Sequence, residues 1–581
     1  MINLRIYRAT LVLVPIAVVI AMFSLQSDPA GRHSPTAPEG FDGAAAAALG
    51  RSLNRQAPRP RPGSSADKKL TDLVAAELGQ IQGAEISKQE FTGSFEGNDV
   101  DLANVICVLP GESNEQIVML AGRDAARGDG AGAAASTAAL LQIASSFGGS
   151  THRKTLVFVS TDASTVGGQG ARRFISAYSD VGQVSAAVVL STPAAQTPSQ
   201  PLVVPWSTGP QSTSIELERT AETSIDDETS SRNRDESAFA ELARLALPVS
   251  LGEQGPLIES GIDAVRISST GERPPDPSLD APDDVSADTL DQFGRATLAT
   301  LLALDGNDAP LKHGPSAYVG MVGNLLPGWA LALVSMSLIV PLVLVAAAAD
   351  LRAARRPEIL LAAGVWVLIR GLPLLLALLA TYLLGFAGLM PRPGFPYDPG
   401  RFPIGIPEII GLVLIAAVLI GGLIVVKPWR RPPPSVGGGG AAAACATLIA
   451  IGGLGVWIAN PYLALLIVPA LHAWVLLLAE STAVGSVVAV GITLLGLVPL
   501  FAALAVIAGH LAVGRDVFWQ LFLLLGDGQI SPSLALLGCL LGGCGLSALA
   551  LARSRIVVPP PARRPAPPKI TVRGPERPDG A

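Results

Sequence analysis

Metal-assisted hydrolysis and acid–base catalysis draw on histidine, cysteine and clustered carboxylates, and this chain gathers few of them in one place. Its five histidines are His33, His152, His313, His472 and His510. Only His152 falls inside the soluble, patterned region, beside Arg153 and Lys154, where it reads as a solvated turn residue and not as a ligand. Of the four cysteines, Cys107, Cys445, Cys539 and Cys544, only Cys107 shares that region, so neither an internal disulfide nor a cysteine-based zinc site can be built there. The Gly-rich turns Gly128-Asp129-Gly130 and Gly167-Gly168-Gln169-Gly170 match neither a phosphate loop nor a dinucleotide fingerprint and read as structural turns. Asp124, Asp162, Glu253 and Glu259 leave some room for hydrolytic chemistry. Arg370 and His472 lie within strongly apolar stretches, where an ionisable group is by default a functional-site hypothesis; the simpler reading pairs Arg370 within a helix bundle and hydrogen-bonds His472 to a neighbouring helix.

The elements that must position these groups follow from composition. The 581 residues are 49% hydrophobic and 15% charged, against roughly 25% charged in soluble domains. That excludes a wholly soluble enzyme, and equally a disordered or fibrous chain. A net charge of -6 without a basic stripe excludes a nucleic-acid partner. Lysine is rare beside arginine, and alanine, glycine and proline are abundant, a bias associated with high-GC bacterial genomes.

A membrane-spanning helix needs about 20 apolar residues. Leu11 to Leu25 is such a block, preceded by Arg5 and Arg8; it suits a cleaved signal peptide or an uncleaved anchor, and the poor cleavage site after it favours the anchor. Seven further windows lie near 326–349, 358–387, 409–426, 440–459, 461–479, 484–509 and 532–552, while Val517 to Leu525 is too short and reads as interfacial or re-entrant. Arg352, Arg355 and Arg356 follow the second span, Lys427, Arg430 and Arg431 the fourth, and Arg553 and Arg555 the last, which the positive-inside rule places in the cytoplasm. The expectation is a multi-pass protein of the plasma membrane, both termini cytoplasmic, with the lipid bilayer as its first partner. Its divisions are an anchor over 1–27, a Pro/Ala/Gly-rich linker over 28–66, an exported domain over 67–306, a linker over 307–325, a bundle of seven spans over 326–555, and a disordered Pro/Arg-rich tail over 556–581.

Within the exported region, Leu70 to Ile81 has helical spacing. Extended runs at Val105–Leu109 and Ile117–Leu120, a helix over Ser136–Ser145, a strand at Thr155–Val159, a helix near Gly170–Tyr178 and a strand at Ala186–Leu190 follow. Helices at Asp235–Leu247 and Ser286–Leu304 and a strand at Ala264–Ile267 complete it, with Thr223 to Arg234 as an exposed mixed-charge loop. Strands alternating with helices imply a parallel or mixed sheet covered on both faces.

The order of a helix with Ala138-Ala139-Leu140-Leu141, a strand ending Phe158-Val159-Ser160-Thr161-Asp162, then Gly167-Gly168-Gln169-Gly170-Ala171, and the late Gly261-Ile262-Asp263-Ala264-Val265-Arg266-Ile267 resembles the co-catalytic zinc aminopeptidases of peptidase family M-28. The resemblance covers about 240 residues and implies an α/β three-layer sandwich of the zinc-exopeptidase type, here joined to an all-α transmembrane bundle. It also implies two zinc ions bridged by a carboxylate, with a glutamate as general base. Matched position by position, the first ligand falls on Gly122, followed by Arg123 and Asp124, of which only Asp124, the orienting residue, is kept. The bridging aspartate falls on Gly132, the glutamate pair on Ser164 and Thr165, and the next aspartate on Ser191. The last histidine has no counterpart between Ser268 and Ser286.

The expected cleft is therefore Gly122, Arg123, Asp124, Gly132, Ser164, Thr165 and Ser191, with no metal, no cofactor and no catalytic residue. Ser136 would join it, but no histidine is placed to activate a serine there. Arg123 could bind a carboxylate or phosphate, or form a plain surface ion pair. The architecture, one anchor, an exported domain without metal ligands and about seven spans, is similar to the large scaffold subunit of the GPI transamidase. The leading expectation is a non-catalytic binding or scaffold module for a membrane or extracytoplasmic protein, or for a lipid-linked or peptide ligand. A metallo-aminopeptidase with unrecognised ligands and a transporting or lipid-handling bundle are the alternatives.

Overall fold

The computed structural model describes residues 3–229, 236–273, 276–353, 357–392, 400, 402–427, 432–433, 436–479 and 484–557. The tail from 558 onward, and Arg355, Arg356, Arg430 and Arg431 of the charged loops, lie outside the described residues.

Among the described residues ten strands form: β1 (Gln26–Ser27), β2 (Glu85–Phe95), β3 (Asn98–Leu109), β4 (Ser113–Gly122), β5 (Lys154–Thr161), β6 (Val184–Ser191), β7 (Val203–Val204), β8 (Ala264–Ser268), β9 (Tyr318–Met321) and β10 (Asn324–Pro327). Seven of them make one mixed sheet in the order β2-β3-β5-β4-β6-β8-β7. Its centre, β5-β4-β6-β8, is parallel, and β3 and β7 close it antiparallel on either side. Buried parallel strands must be apolar on both faces, and β4 meets that demand by alternation. Ile117, Met119 and Ala121 pack towards the helices Ser65–Leu78, Ala131–Phe147 and Ala287–Asp305. Val118 and Leu120 pack towards Gln169–Ala177 and Gln254–Glu259 on the other face. The result is a mixed sheet covered by helices on both faces, as expected.

Two expected linkers are structured. Residues 43–56 form a helix, with Asp42 accepting from the amides of Ala44 and Ala45 at 2.9 and 3.1 Å. Phe41, Ala46, Ala47 and Leu53 belong to the main core. The apolar stripe of this helix is mostly alanine, which is why a search for large apolar residues passes over it. Within 307–325, β9 and part of β10 pair with each other, and β10 pairs with β1, in a small antiparallel sheet. Thr223 to Glu228, expected as loop, completes the helix Ile215–Glu228.

Among the described residues, eight helices are long and apolar enough to cross a membrane: Leu4–Phe23, Gly328–Arg352, Glu358–Phe386, Ile406–Val425, Gly437–Ala459, Pro461–Leu478, Ser486–His510 and Pro532–Arg553. They coincide with the eight expected spans. Small residues let them approach closely: a Cβ on Gly543 would lie 2.7 Å from the Cα of Gly371, and one on Gly452 would lie 2.6 Å from Leu541. The helix Val517–Asp527 has 11 residues, too few to span. It packs on the third span, with the Trp519 indole donating to the Phe402 carbonyl at 2.7 Å.

The α/β domain is seated on the helical bundle. Helix Ala238–Ala246 packs against the sixth and seventh spans, and Ala243, Leu245 and Ala246 share an apolar cluster with Tyr462, Leu466, Ala503 and Ile507. Asn460 ties the two parts together. Its Oδ1 caps the sixth span by accepting from Tyr462 and Leu463, and its Nδ2 donates to the Leu245 carbonyl at 3.0 Å.

Candidate functional site

Open parallel sheets bind ligands beyond the carboxyl ends of their strands, and a cavity of about 130 Å³ lies at that edge here. It is smaller than the roughly 300–1,000 Å³ of pockets for drug-sized ligands, so its depth admits only a small group. Six of the seven expected cleft residues line it: Gly122, Asp124, Gly132, Ser164, Thr165 and Ser191. Ser136 and Glu253 join them. No histidine does.

The floor is organised by Asp124. It is 2% exposed and accepts at one oxygen from the amide and hydroxyl of Ser164, both at 2.6 Å. Its other oxygen accepts from the Thr165 hydroxyl at 2.6 Å and the Thr165 amide at 3.4 Å. The turn that aims two hydroxyls and two amides at one carboxylate starts at Ala163, whose φ of 47° is left-handed, a conformation costly for a non-glycine residue. Burial pushes the Asp124 carboxyl above its ordinary range, aided by the neighbouring Asp162 and opposed by the Ser164 and Thr165 donors. Gly122 is required beside this turn, because a Cβ there would collide with the Ser164 hydroxyl. The residue where a metal-binding histidine would stand is thus packed shut by one of the residues standing where a glutamate would.

Glu253, at the start of helix Gln254–Glu259, is 4% exposed. The Thr161 hydroxyl donates to its Oε2 at 2.9 Å. Burial pushes its carboxyl up to about 8, against the pull of that hydroxyl and of the Ala171 amide. Asp280 closes the cavity from the other side, accepting from the amides of Gly130 and Gly132 at 2.7 and 2.8 Å, where it caps helix Ala131–Phe147 as a carboxylate does at a helix start. No local sequence signal links residues 150 positions apart, and Asp280 is legible only in the fold.

Arg123 departs from expectation. It neither lines the cleft nor sits on the surface; it is fully buried. Side chains alternate across a strand, and Arg123 continues the side of Met119 and Ala121, so it turns towards helix Ser65–Leu78. There its Nη2 pairs with Asp162 at 2.9 Å and its Nε lies 3.3 Å from Asp67. Its remaining donors reach the carbonyls of Ser160, at 3.0 Å, and Ala103. Burial outweighs the adjacent guanidinium at Asp67 and draws that carboxyl up to about 7.

His152 is corrected too. It is 8% exposed, donates from Nδ1 to the Lys154 carbonyl at 2.8 Å and packs edge-on against Phe147. It stands before β5, at the opposite edge of the sheet from the cleft.

The residues do not fit the two zinc ions that the resemblance implies. Among the described residues, no three His, Cys, Asp or Glu side chains gather as a metal ion requires. Asp124 has both oxygens engaged by Ser164 and Thr165, and Gly122, Gly132 and Ser191 carry neither nitrogen nor carboxylate side chains.

Arg370 and His472 are each tied to a neighbouring helix. Arg370 donates to the Leu546 carbonyl at 2.9 Å and lies over the Trp366 ring. His472 bonds the Leu338 carbonyl through Nε2 at 3.0 Å and Tyr7 through Nδ1 at 2.6 Å. A carbonyl only accepts, so Nε2 carries the proton and the Tyr7 hydroxyl donates to Nδ1.

No protein-family model matches the sequence, and no curated protein matches it. Among solved structures, the chain is similar to a glutaminyl cyclase from Porphyromonas gingivalis, with 16% identity over 45% of this chain and 98% of that one and a TM-score of 0.34. It is similar to BSAP, a zinc aminopeptidase from Bacillus subtilis, with 12% identity over 47% and 98% of the two chains and a TM-score of 0.37. A Zn-dependent exopeptidase from Parabacteroides distasonis is similar at 15% identity over 45% and 98%, with a TM-score of 0.34. At these values the likeness carries no argument about chemistry, which rests on the residues alone.

Proposed function

We propose that this chain is a multi-pass membrane protein whose exported domain binds a ligand or partner in the cleft at the strand ends without catalysing a reaction there. The observation that carries the reading is the packing of Gly122, Asp124, Ser164 and Thr165 into one closed hydrogen-bonded turn. A hydrolytic metal site needs open, convergent ligand atoms, whereas this turn spends its carboxylate on its own hydroxyls. A serine nucleophile needs an adjacent base. No histidine lines the cleft, and His152 precedes β5, whose 8 residues hold it about 26 Å from the cleft at 3.3 Å per residue.

What the cleft keeps is suited to recognition: a small recess with hydroxyls on several sides, with the Glu253 carboxyl pushed up to about 8 and the Asp124 carboxyl raised above its ordinary range by burial. The seating of the domain on the sixth and seventh spans supports a fixed presentation of that recess over the bundle. The test is metal content and hydrolysis by the purified full-length chain. After incubation with zinc and desalting, less than one equivalent should remain, and aminoacyl-coumarin substrates should be left intact. Two equivalents of retained zinc, with chelator-sensitive cleavage, would overturn the reading.

A further inference from the structure

Where the domain rests on the bundle, one arginine is shared by three acids. Arg244, on helix Ala238–Ala246, lies 3.0 Å from Oε2 of Glu236, and its charge also reaches Glu218 and Glu241. Arg219, on helix Ile215–Glu228, is divided between Glu218, Asp28 and Glu222. The Tyr318 hydroxyl donates to Glu218 and the Gly320 amide to Glu241, and burial draws both carboxyls above their ordinary range. Glu236 is left with a share of one permanent charge, although both of its oxygens are buried without a hydrogen bond.

A titratable cation stands at its other oxygen. His510 is the last residue of helix Ser486–His510, a position where the helix dipole favours positive charge. Its Nδ1 is buried without a hydrogen-bond partner and lies 4.0 Å from Oε1 of Glu236, the two side chains being 25% and 15% exposed. Among the described residues, no other acid comes within 4.0 Å of the ring nitrogens. Arg515 and Asp516, the next charges along the chain, are exposed, and the sixth span contributes Tyr462 to the shared cluster. Glu236 in turn precedes Ser237, whose hydroxyl caps helix Ala238–Ala246 by accepting from the Ala240 amide at 3.2 Å. The pair therefore joins the start of the helix that seats the domain to the end of a span.

Histidine changes its charge between about pH 5 and pH 8, and only the protonated ring attracts a carboxylate. We propose that His510 and Glu236 form a proton-operated latch: the charged imidazole pins helix Ala238–Ala246 to the bundle, and the neutral one leaves Glu236 to Arg244 and lets the seat open more often. The pair is complete at low pH and is lost as pH rises. Its arginine also reaches towards the cleft. Arg244 lies 3.7 Å over the Trp206 ring, and the Trp206 carbonyl accepts at 3.3 Å from Gln254, the neighbour of Glu253. The latch does not depend on what the cleft binds.

Hydrogen exchange of the full-length chain in detergent tests it, with protection expressed against free-peptide rates at each pH. Protection of Ala238–Ala246 should be about fivefold greater at about pH 5.5 than at about pH 8, the size expected of a partly buried ion pair at a helix end. His510→Gln should remove that dependence and hold protection at the alkaline level. His510→Lys, charged throughout, should hold it at the acidic level. His313→Gln, which breaks a different histidine–carboxylate pair, with Asp263 at 3.2 Å, should leave the response intact, and melting curves confirm that each variant folds. Wild-type protection that ignores pH overturns the proposal. So does a response that survives His510→Gln, which would assign the titration to Glu218 and Glu241. A response that persists in His510→Lys, or that disappears in His313→Gln, overturns it as well.

Discussion

The α/β domain and the bundle of apolar helices bury polar groups in opposite ways. At the strand ends of the domain, Asp67, Arg123, Asp124, Asp162 and Glu253 are each 4% exposed or less, four acids with one base between them. In the bundle, Arg370 and His472 stand apart, each fastened to a main-chain carbonyl of another helix. The domain concentrates charge and stabilises it with neighbouring donors; the bundle disperses its few polar groups and uses them to join helices. A buried network is worth keeping only if its members are satisfied, so the domain should respond far more sharply than the bundle to loss of a single side chain.

The largest effect is expected from Arg123→Met. Removing the cation leaves Asp67 and Asp162 buried without a countercharge, which costs about 3–5 kcal/mol and should lower the melting temperature of the full-length chain severely at pH 8. At pH 5 part of the loss should return, because Asp67 is then protonated. Arg370→Met in the bundle gives up one interhelical hydrogen bond, about 1 kcal/mol. Equal losses for the two variants in the same detergent would break the contrast between the regions.

Phe41→Ala is expected to be nearly as damaging, about 3–5 kcal/mol for a phenylalanine removed from a packed core. Its ring lies against Gly294, where an added Cβ would clash with it, and it precedes the helix that packs on Ala131–Phe147. A flexible tether would tolerate the change; chemical denaturation therefore distinguishes a tether from a structural part of the domain.

That helix also marks where sequence reading succeeded and where it stopped. All eight spans were legible because each repeats one strong signal, apolar length. The alternating elements of the domain were legible from β4 to β6, where Val, Ile and Leu runs alternate with alanine-rich helices. Residues 43–56 were not, since the buried stripe of alanines and glycine has no apolar amplitude; the one local clue is Asp42, a good N-cap. Strand β2 was missed for a related reason. Glu85 to Ser94 is exposed or only partly buried throughout, so packing imprints no clear pattern on it. In the cleft, the family resemblance brought Gly122, Asp124, Gly132, Ser164, Thr165 and Ser191 together but misjudged Arg123. Strand alternation alone puts Arg123 on the face opposite Gly122 and Asp124. Asp280 and Glu253 depended on chain pairings that no nearby residue announces.

A milder effect should come from pH. Asp67, drawn up to about 7, and Glu253, drawn up to about 8, titrate above the carboxylate range because burial disfavours their charged forms. The native state then keeps protons that the unfolded chain releases from about pH 4 upward. Stability is full below the unfolded pKa and is lost as pH rises to the folded values, so the melting temperature should decline between about pH 4 and pH 8 and level off above. Glu253→Gln stays neutral and can still accept from Thr161. It should flatten that decline, matching wild type at about pH 4 and melting a few degrees higher at about pH 8. A variant whose slope parallels wild type would place the titration elsewhere.

The smallest expected effect tests the bundle on its own terms. Tyr7→Phe removes only the hydroxyl that donates to Nδ1 of His472, an interhelical bond worth about 1 kcal/mol or less. The first span packs on the second, and His472 reaches the second span as well, through the Leu338 carbonyl. The imidazole is therefore a rivet through three helices, and losing one of its two bonds should loosen the first span while leaving the domain unmoved. Hydrogen exchange should rise around Leu4–Thr10 and stay unchanged around Asp124. Increased exchange in the cleft as well would mean that the two interiors are mechanically continuous, and the contrast between them would then describe composition alone.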